Sequence, residues 1–205
     1  MNMDEFNKVT DKYYFKCTSC GNCCTGSQKV FLNLYDLYKL SRYHNYGNSR
    51  MLFDAGLVIL VKDQNQAHLP RIRFKQKPFQ FCPYLQHTNT DPASIRTYCS
   101  LHPDFKPLIC FLAPLGRKID IDENSEEYLF VKPSADCPGV NSTSENSLQQ
   151  VITDFRQELN YQYKFFKLLK NARDNNFTRQ QYLDKIYYFD LDHEFENILQ
   201  SIEKD

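Results

Sequence analysis

Hydrophobic residues recur at two spacings along the chain, one typical of helices and one typical of strands. Leu34 and Leu37 stand at helical spacing after Asn33, a residue type that often caps a helix N-terminus. Asp36 occupies the third helical position, where a carboxylate is favourable. The pattern predicts a helix from residue 34 to about residue 44.

A longer amphipathic segment occupies the last third of the chain. Ser142 and Glu145 have the spacing of a capping box, and one apolar face then extends to about Asn171. That face consists of Leu148, Val151, Ile152, Phe155, Leu159, Phe166 and Leu169. Two shorter helices are expected after it, over about 178–189 and 192–203.

Alternation of apolar and polar residues is the strand signal in the middle of the chain. Ile72 and Phe74 lie between basic residues within 69–77, which predicts a half-buried strand with a solvated basic face. Short runs of β-type residues predict further strands over 29–32, 57–61 and 127–132. The remaining predicted elements are a helical turn over 50–55, a polar loop over 86–94 and a short helix that begins near Pro103 and carries Cys110.

The mixture of short strands and helices predicts an α+β protein with two parts. Residues 1–140 contain every cysteine and are expected to form a small cysteine-rich, metal-binding domain. Residues 141–205 contain no cysteine and are expected to form a C-terminal helical hairpin packed on that domain. Aromatic residues crowd one stretch of the hairpin, and they predict either ordinary core packing or a docking surface for a protein partner. They are Tyr161, Tyr163, Phe165 and Phe166.

Charge and hydropathy narrow the functional classes. The 25 basic and 25 acidic residues give a formal net charge of zero, so the basic excess typical of nucleic-acid binders is absent. Residues 1–16 lack the apolar core of a signal peptide, and the longest apolar run, 56–61, is too short to cross a bilayer. We therefore expect no nucleic-acid partner, no membrane span and a cytoplasmic location, where clustered thiols bind metals more often than they form disulfides.

Eight cysteines are the main chemical feature of the chain. Four lie close together near the N-terminus, and four follow singly. The first group is Cys17, Cys20, Cys23 and Cys24, and the later residues are Cys82, Cys99, Cys110 and Cys137. A gap of two residues between thiols lets a tight turn aim both sulfurs at one metal. All eight cysteines are therefore candidate metal ligands.

Two kinds of metal centre fit this cysteine set. In the first, the eight sulfurs divide into two four-thiolate zinc sites, although adjacent cysteines seldom face one small ion together. In the second, Cys17, Cys20 and Cys23 hold three corners of an iron–sulfur cluster, and a later cysteine holds the fourth. Proline follows Cys82 and Cys137, as it follows the last cysteine of the bacterial ferredoxin motif, and this favours the cluster.

The cysteine motif resembles the signature of the bacterial CxxCxxCC, or YkgJ-like, cysteine-cluster proteins. The likeness extends over about residues 13–140 and includes several later elements. These are Cys82-Pro83-Tyr84-Leu85, Cys99, Lys106-Pro107-Leu108-Ile109-Cys110, Ala113-Pro114 and Cys137-Pro138-Gly139. Lys106 and Phe111 stand where the family usually has arginine. The resemblance implies a domain that chelates zinc or iron.

Two classes of function are consistent with this resemblance. The first is a metal-binding protein whose centre has a structural or redox role, with metal delivery or storage as a variant. The second is an enzyme, because flagellin lysine N-methylases carry a similar cluster; such an enzyme would transfer methyl groups from S-adenosylmethionine to protein lysines. No Gly-x-Gly pair signals a nucleotide-binding loop. Cys24 is the candidate nucleophile if one thiol stays outside the metal shell.

Overall fold

The computed structural model contains both helices and small sheets, which confirms the predicted α+β fold class. It describes residues 7–26, 28–77, 79–87 and 97–204, so most of the polar loop predicted over 86–94 lies outside the described residues. The strands are β1 (Asn7–Val9), β2 (Lys12–Tyr14), β3 (Val58–Lys62), β4 (His68–Ile72), β5 (Leu85–His87), β6 (Thr97–Cys99), β7 (Leu115–Asp120), β8 (Ser125–Phe130) and β9 (Glu145–Ser147). The helices are α1 (Leu34–Tyr43), α2 (Arg50–Asp54), α3 (Leu108–Leu112), α4 (Leu148–Asp154), α5 (Arg156–Asp174), α6 (Arg179–Tyr182) and α7 (Phe195–Ile202), and a π-helical stretch over Leu183–Tyr187 continues α6.

The chain forms two compact units, each assembled from separate segments. The first unit contains residues 1–28, 74–102 and 109–156, and the second contains 29–73, 103–108 and 157–205. The division into domains at about residue 140 stays a prediction. Among the described helices, none is long and apolar enough to cross a bilayer, and the cytoplasmic location also stays a prediction.

Antiparallel strand pairs form the framework of the first unit. β8 lies between β1 and β7 in a three-stranded sheet, while β2 pairs with β9 and β5 pairs with β6. The N-terminal strands are therefore paired with strands that lie more than a hundred residues further along the chain. The buried side chains of this unit include Val9, Tyr13, Tyr84, Leu112, Leu115, Tyr128 and Leu148.

Local capping signals set the helix starts of the second unit. Asn33 Oδ1 accepts the Asp36 N–H at 2.9 Å, and Asp36 Oδ2 accepts the Asn33 N–H at 3.0 Å, which makes a capping box at α1. Thr178 and Gln181 form the same arrangement at α6. Both predicted helix starts are confirmed, because the capping residues satisfy backbone groups that a helix N-terminus leaves unpaired.

The long C-terminal helix begins later than predicted. Residues 145–147 form β9 and pair with β2, so the capping box predicted at Ser142 and Glu145 is wrong. The observed cap is Ser147, whose hydroxyl accepts the Gln150 N–H. Strand pairing satisfies the backbone of β9 and competes with the helix there, while α4 and α5 replace the single helix that the apolar face predicts.

Two other predicted boundaries also differ. α3 begins at Leu108 and not near Pro103, because the Asp36 carboxylate accepts the Leu108 N–H at 2.9 Å and fixes the helix start. β4 ends at Ile72, several residues before the predicted strand end, and the next N–H, from Arg73, donates to the Leu57 carbonyl at 2.8 Å. The predicted alternation of burial nevertheless continues beyond β4, where Phe74 is buried and its basic neighbours are exposed.

Asp36 and Lys39 form a buried ionic cluster in the second unit. The Lys39 Nζ atom lies 2.7 Å from Glu158 Oε2, 2.8 Å from the Lys106 carbonyl oxygen and 3.6 Å from Asp36 Oδ1. Burial raises the pKa of Asp36 to about 6, although Lys39 and the N–H groups of Asn33 and Leu108 act in the opposite direction. The cluster therefore contains a carboxyl group that titrates in mildly acidic solution.

We expect the free energy of unfolding to fall as the pH rises from about 4 to about 6, because the buried Asp36 carboxyl loses its proton over this range. Its folded-state pKa of about 6 exceeds the value of about 3.9 for an unfolded aspartate, so the folded state binds the proton more tightly. The resulting stabilisation, about 3 kcal/mol, is present in full below pH 4 and is lost as pH rises through 6. Urea denaturation across this range, with Asp36→Asn as the reference, measures it. A wild-type-minus-variant difference that stays constant with pH would contradict the assignment.

The aromatic stretch of α5 is partly buried within the second unit. Tyr161 and Phe165 are buried, and the Tyr161 ring centroid lies 4.8 Å from that of Phe195 and 5.0 Å from that of Tyr35. The other two aromatic residues of the stretch are half-buried. Core packing thus accounts for two of the four rings, and a protein partner at this stretch stays a prediction.

Candidate metal centre

The four N-terminal cysteines lie on a segment without regular secondary structure that closes into a tight turn. Gly21 has a left-handed backbone, with φ of 78°, and precedes a short 3₁₀ helix over Asn22–Cys24. The Cys24 N–H donates to the Gly21 carbonyl at 2.8 Å. This turn places the adjacent residues Cys23 and Cys24 at its end, where the chain meets a long-range partner.

That partner is the segment around Cys82. The Cys82 N–H donates to the Cys24 carbonyl at 2.7 Å, and the Gly26 N–H donates to the Gln80 carbonyl at 2.8 Å. Thr25 forms an isolated β-bridge with Phe81 between these two bonds. These two hydrogen bonds fix the register of the two segments and bring Cys82 next to the end of the cysteine turn.

The antiparallel pairing of β5 with β6 places Cys99 near the segment around Cys82. Cys99 lies opposite Leu85 in the pairing of β5 with β6, and the Leu85 N–H donates to the Cys82 carbonyl at 3.1 Å. The Ser100 N–H then donates to the Tyr84 carbonyl at 2.9 Å. The Cys82-Pro83-Tyr84-Leu85 element therefore connects the N-terminal turn with β6.

The thiols at this junction influence one another. The Sγ atoms of Cys23 and Cys24 are 3.9 Å apart. The contact with Cys23, then burial, and then repulsion from Cys82 and Cys110 raise the pKa of Cys24 well above that of an ordinary thiol. Burial raises the pKa of Cys82 to about 11, with smaller contributions from Cys99 and Cys23. In the first unit, Cys24 thus interacts with Cys23, Cys82 and Cys110, and Cys82 interacts with Cys99 and Cys23.

The other three predicted ligands are less closely connected with this group. Cys17 and Cys20 are exposed, whereas Cys137 is buried and precedes a 3₁₀ helix over Pro138–Asn141. Backbone and side-chain contacts still hold the two segments together, since the Asn22 amide donates to the Asp136 carbonyl at 3.0 Å and the Lys16 N–H donates to the Gly139 carbonyl at 3.2 Å. The ligand role of these three cysteines stays a prediction.

The sulfur atoms are neighbours and do not form a finished coordination shell. All eight cysteines lie in the described part of the chain, and no disulfide joins any of them. Across residues 7–26, 28–77, 79–87 and 97–204, no three side chains of Cys, His, Asp or Glu are spaced as ligands of one ion. The donor set nevertheless has suitable chemistry for zinc or iron, because thiolates are soft ligands and several of these thiols are shielded from water.

Thr97 is a site residue that the sequence does not reveal. Its hydroxyl donates a short hydrogen bond to the Ser19 carbonyl, between the first two cysteines of the turn. A Cβ atom added to Gly21 would lie 3.0 Å from the Thr97 hydroxyl oxygen. Thr97 lies in β6, far from the motif in sequence, and no spacing rule connects the two.

We expect Gly21→Ala to destabilise the protein more than Gly26→Ala does. Both glycines have a positive φ, 78° and 68°, so each alanine incurs about 1–2 kcal/mol of backbone strain. Only Gly21 also faces a neighbour, because a Cβ at Gly26 meets nothing within 4 Å. Chemical denaturation of both variants isolates the contact with Thr97. Equal losses in the two variants would show that Thr97 does not restrict the turn.

Phe111 and Lys106, which lie close in sequence to Cys110, have defined contacts in the structure. The Phe111 ring lies 5.3 Å from Phe155 and 5.9 Å from His102 between ring centroids. The Lys106 carbonyl accepts a hydrogen bond from Lys39 in the second unit. Phe111 therefore packs against two other rings.

Comparisons with protein-family models, with curated proteins and with solved structures find no match to this chain. The resemblance to the CxxCxxCC cluster proteins accordingly stays a prediction that depends on the motifs themselves.

Proposed function

We propose that the protein binds a metal through its clustered cysteines, and that the centre has a structural or redox role. The observation that carries the proposal is the contact of the Cys23 and Cys24 thiols, 3.9 Å apart, next to the Cys82 segment, whose N–H donates to the Cys24 carbonyl at 2.7 Å. Cys110 also acts on the Cys24 thiol electrostatically. Four thiols are the complete ligand set of a common zinc site. Cys99, which interacts with Cys82, is a fifth donor at the edge of this group.

The spacing of the adjacent pair supports a single ion. Zinc–sulfur bonds of about 2.3 Å at tetrahedral angles separate neighbouring sulfurs by about 3.8 Å. The Sγ atoms of Cys23 and Cys24 are 3.9 Å apart, close to that value. An iron–sulfur cubane takes one cysteine on each iron, so two sulfurs at this separation fit it less well. The pair thus favours zinc, whereas the prolines after Cys82 and Cys137 favour the cluster.

Two cysteine variants distinguish the two centres. For a four-thiolate zinc site we expect colourless wild-type protein with about one zinc per chain, loss of metal in Cys24→Ser, and retention of metal in Cys17→Ser. For a cluster held by Cys17, Cys20 and Cys23 we expect coloured protein with iron and sulfide, loss in Cys17→Ser, and retention in Cys24→Ser. Elemental analysis and visible absorption of anaerobically purified protein provide both readouts.

The metal proposal as a whole has its own test. Wild-type protein that is purified without metal, and that then takes up neither Zn²⁺ nor a reconstituted cluster, would overturn it. Both variants serve as controls in that titration, because each retains seven of the eight thiols. When bound, the metal would link the segments that carry Cys24, Cys82 and Cys110.

A further inference from the structure

The adjacent thiols of Cys23 and Cys24 point to the same side of the turn. Adjacent side chains usually diverge along an extended chain, yet here the Sγ atoms are 3.9 Å apart. Cys23 is exposed and Cys24 is half-buried. Two features stabilise this geometry: the 3₁₀ turn over Asn22–Cys24, and the hydrogen bond from the Cys82 N–H to the Cys24 carbonyl.

We propose that this pair is an oxidation-sensitive switch that closes into a disulfide in the metal-free protein and blocks metal binding until a reductant reopens it. The regulatory consequence depends on the proposed function, because it requires the same pair to be part of the metal site. The disulfide itself depends only on the position of the two sulfurs.

A hydroperoxide is the oxidant class that balances the reaction. The exposed Cys23 sulfur attacks one peroxide oxygen, the O–O bond breaks, and a sulfenic acid and one water form with hydrogen peroxide as the oxidant. The Cys24 sulfur then attacks the oxidised sulfur, its proton leaves with the displaced hydroxyl as a second water, and the S–S bond forms. Two thiols lose two protons and two electrons in total, and the peroxide is reduced to two waters.

Local geometry makes such a disulfide easy to reverse. Cα atoms joined by a trans peptide are about 3.8 Å apart, whereas disulfides usually join Cα atoms about 4.4–6.8 Å apart. A bond between adjacent residues is therefore strained, and strained exposed disulfides are reduced more readily than structural ones. Closure would remove two of the four sulfurs grouped around Cys24, and reduction would restore them.

Thiol mapping tests the pair directly. Metal-free wild-type protein is treated with a small excess of hydrogen peroxide, alkylated with iodoacetamide, digested and analysed by mass spectrometry. We expect Cys17 and Cys20 to be alkylated, and Cys23 and Cys24 to be protected until a reductant is added. Cys99→Ser should retain the protected pair, whereas Cys23→Ser and Cys24→Ser should lose it. Protection of a different pair, or irreversible oxidation of Cys23 with no S–S bond, would overturn the proposal.

A zinc titration tests whether closure of the disulfide changes the affinity of the protein for metal. The peroxide-treated protein should bind Zn²⁺ at least about tenfold more weakly than the reduced protein, by analogy with other perturbations of metal ligation, and treatment with a phosphine reductant should restore the affinity. Equal affinity before and after closure would overturn the regulatory role while leaving the mapped disulfide intact. Failure of the reduced protein to bind zinc would instead contradict the four-thiolate site, and the thiol map would still decide whether the pair closes.

Discussion

Cys82→Ser is expected to lower metal affinity by more than about 100-fold and to destabilise the metal-loaded protein. If the proposed four-thiolate site holds, this substitution removes a direct metal bond, whereas even changes to residues that only support a ligand reduce affinity about 10–100-fold. A 100-fold loss of affinity removes about 2.7 kcal/mol of ligand stabilisation when the metal is saturating for the wild type. Cys82 is buried and its N–H bonds the Cys24 carbonyl, so the backbone contact is retained in the variant.

Cys137→Ser is the matched control for this prediction. Cys137 is also buried and also precedes proline, so the serine substitution has a similar effect on packing and chain stiffness. Thermal unfolding with and without Zn²⁺ separates the effect of the substitution on packing from the effect on metal binding, because only the loss of a ligand depends on the metal. If both variants lose the metal-dependent stabilisation equally, the site is not confined to the group around Cys24.

Asp36→Ala is expected to destabilise the protein by about 3–5 kcal/mol at neutral pH. The carboxylate accepts the N–H groups of Asn33 and Leu108 at 3.0 and 2.9 Å in a fully buried position. Buried donors that lose their partner each incur about 1–3 kcal/mol. The change also leaves the buried Lys39 ammonium with less compensating charge, and breaking a buried ion pair is strongly destabilising.

Urea denaturation measures this loss, and an exposed pair provides its control. Arg50 and Asp54 are joined at 3.3 Å on the surface of α2, so Asp54→Ala should change stability by less than about 1 kcal/mol. A similarly small effect of Asp36→Ala would mean that water replaces the carboxylate without loss. A helix α3 that keeps its start in Asp36→Ala, as seen by hydrogen exchange of the Leu108 amide, would contradict the capping role.

Local sequence signals were sufficient wherever a few neighbouring residues satisfy the backbone by themselves. Asn33 with Asp36 marks the start of α1, and Thr178 marks the start of α6. The same reasoning was wrong at Ser142 and Glu145, because the pairing of β9 with β2 supplies backbone partners from the other end of the chain. It also missed β1, β5 and β7, whose residues gain their pairing partners only through long-range contacts.

The candidate site also combines a feature that the sequence predicts with contacts that only the structure reveals. The spacing of Cys17, Cys20 and Cys23 predicts metal binding, because thiols with two residues between them can reach a common point on a tight turn. That metal binding stays a prediction. The sequence does not indicate which of the later cysteines lie near that turn. Once strands pair, residues that are far apart in sequence can be close in space.

The sequence by itself determined the α+β class, the caps of α1 and α6 and the presence of eight soft donors, since these depend on residue type and short spacing. Tertiary structure alone decided that the Cys82 segment meets Cys24 and that Cys99 lies near Cys82. It also decided that Thr97 bonds the turn and that Asp36 fixes the start of α3. The physical reason is that each of these contacts requires hydrogen bonds and burial between segments that become neighbours only when the chain folds.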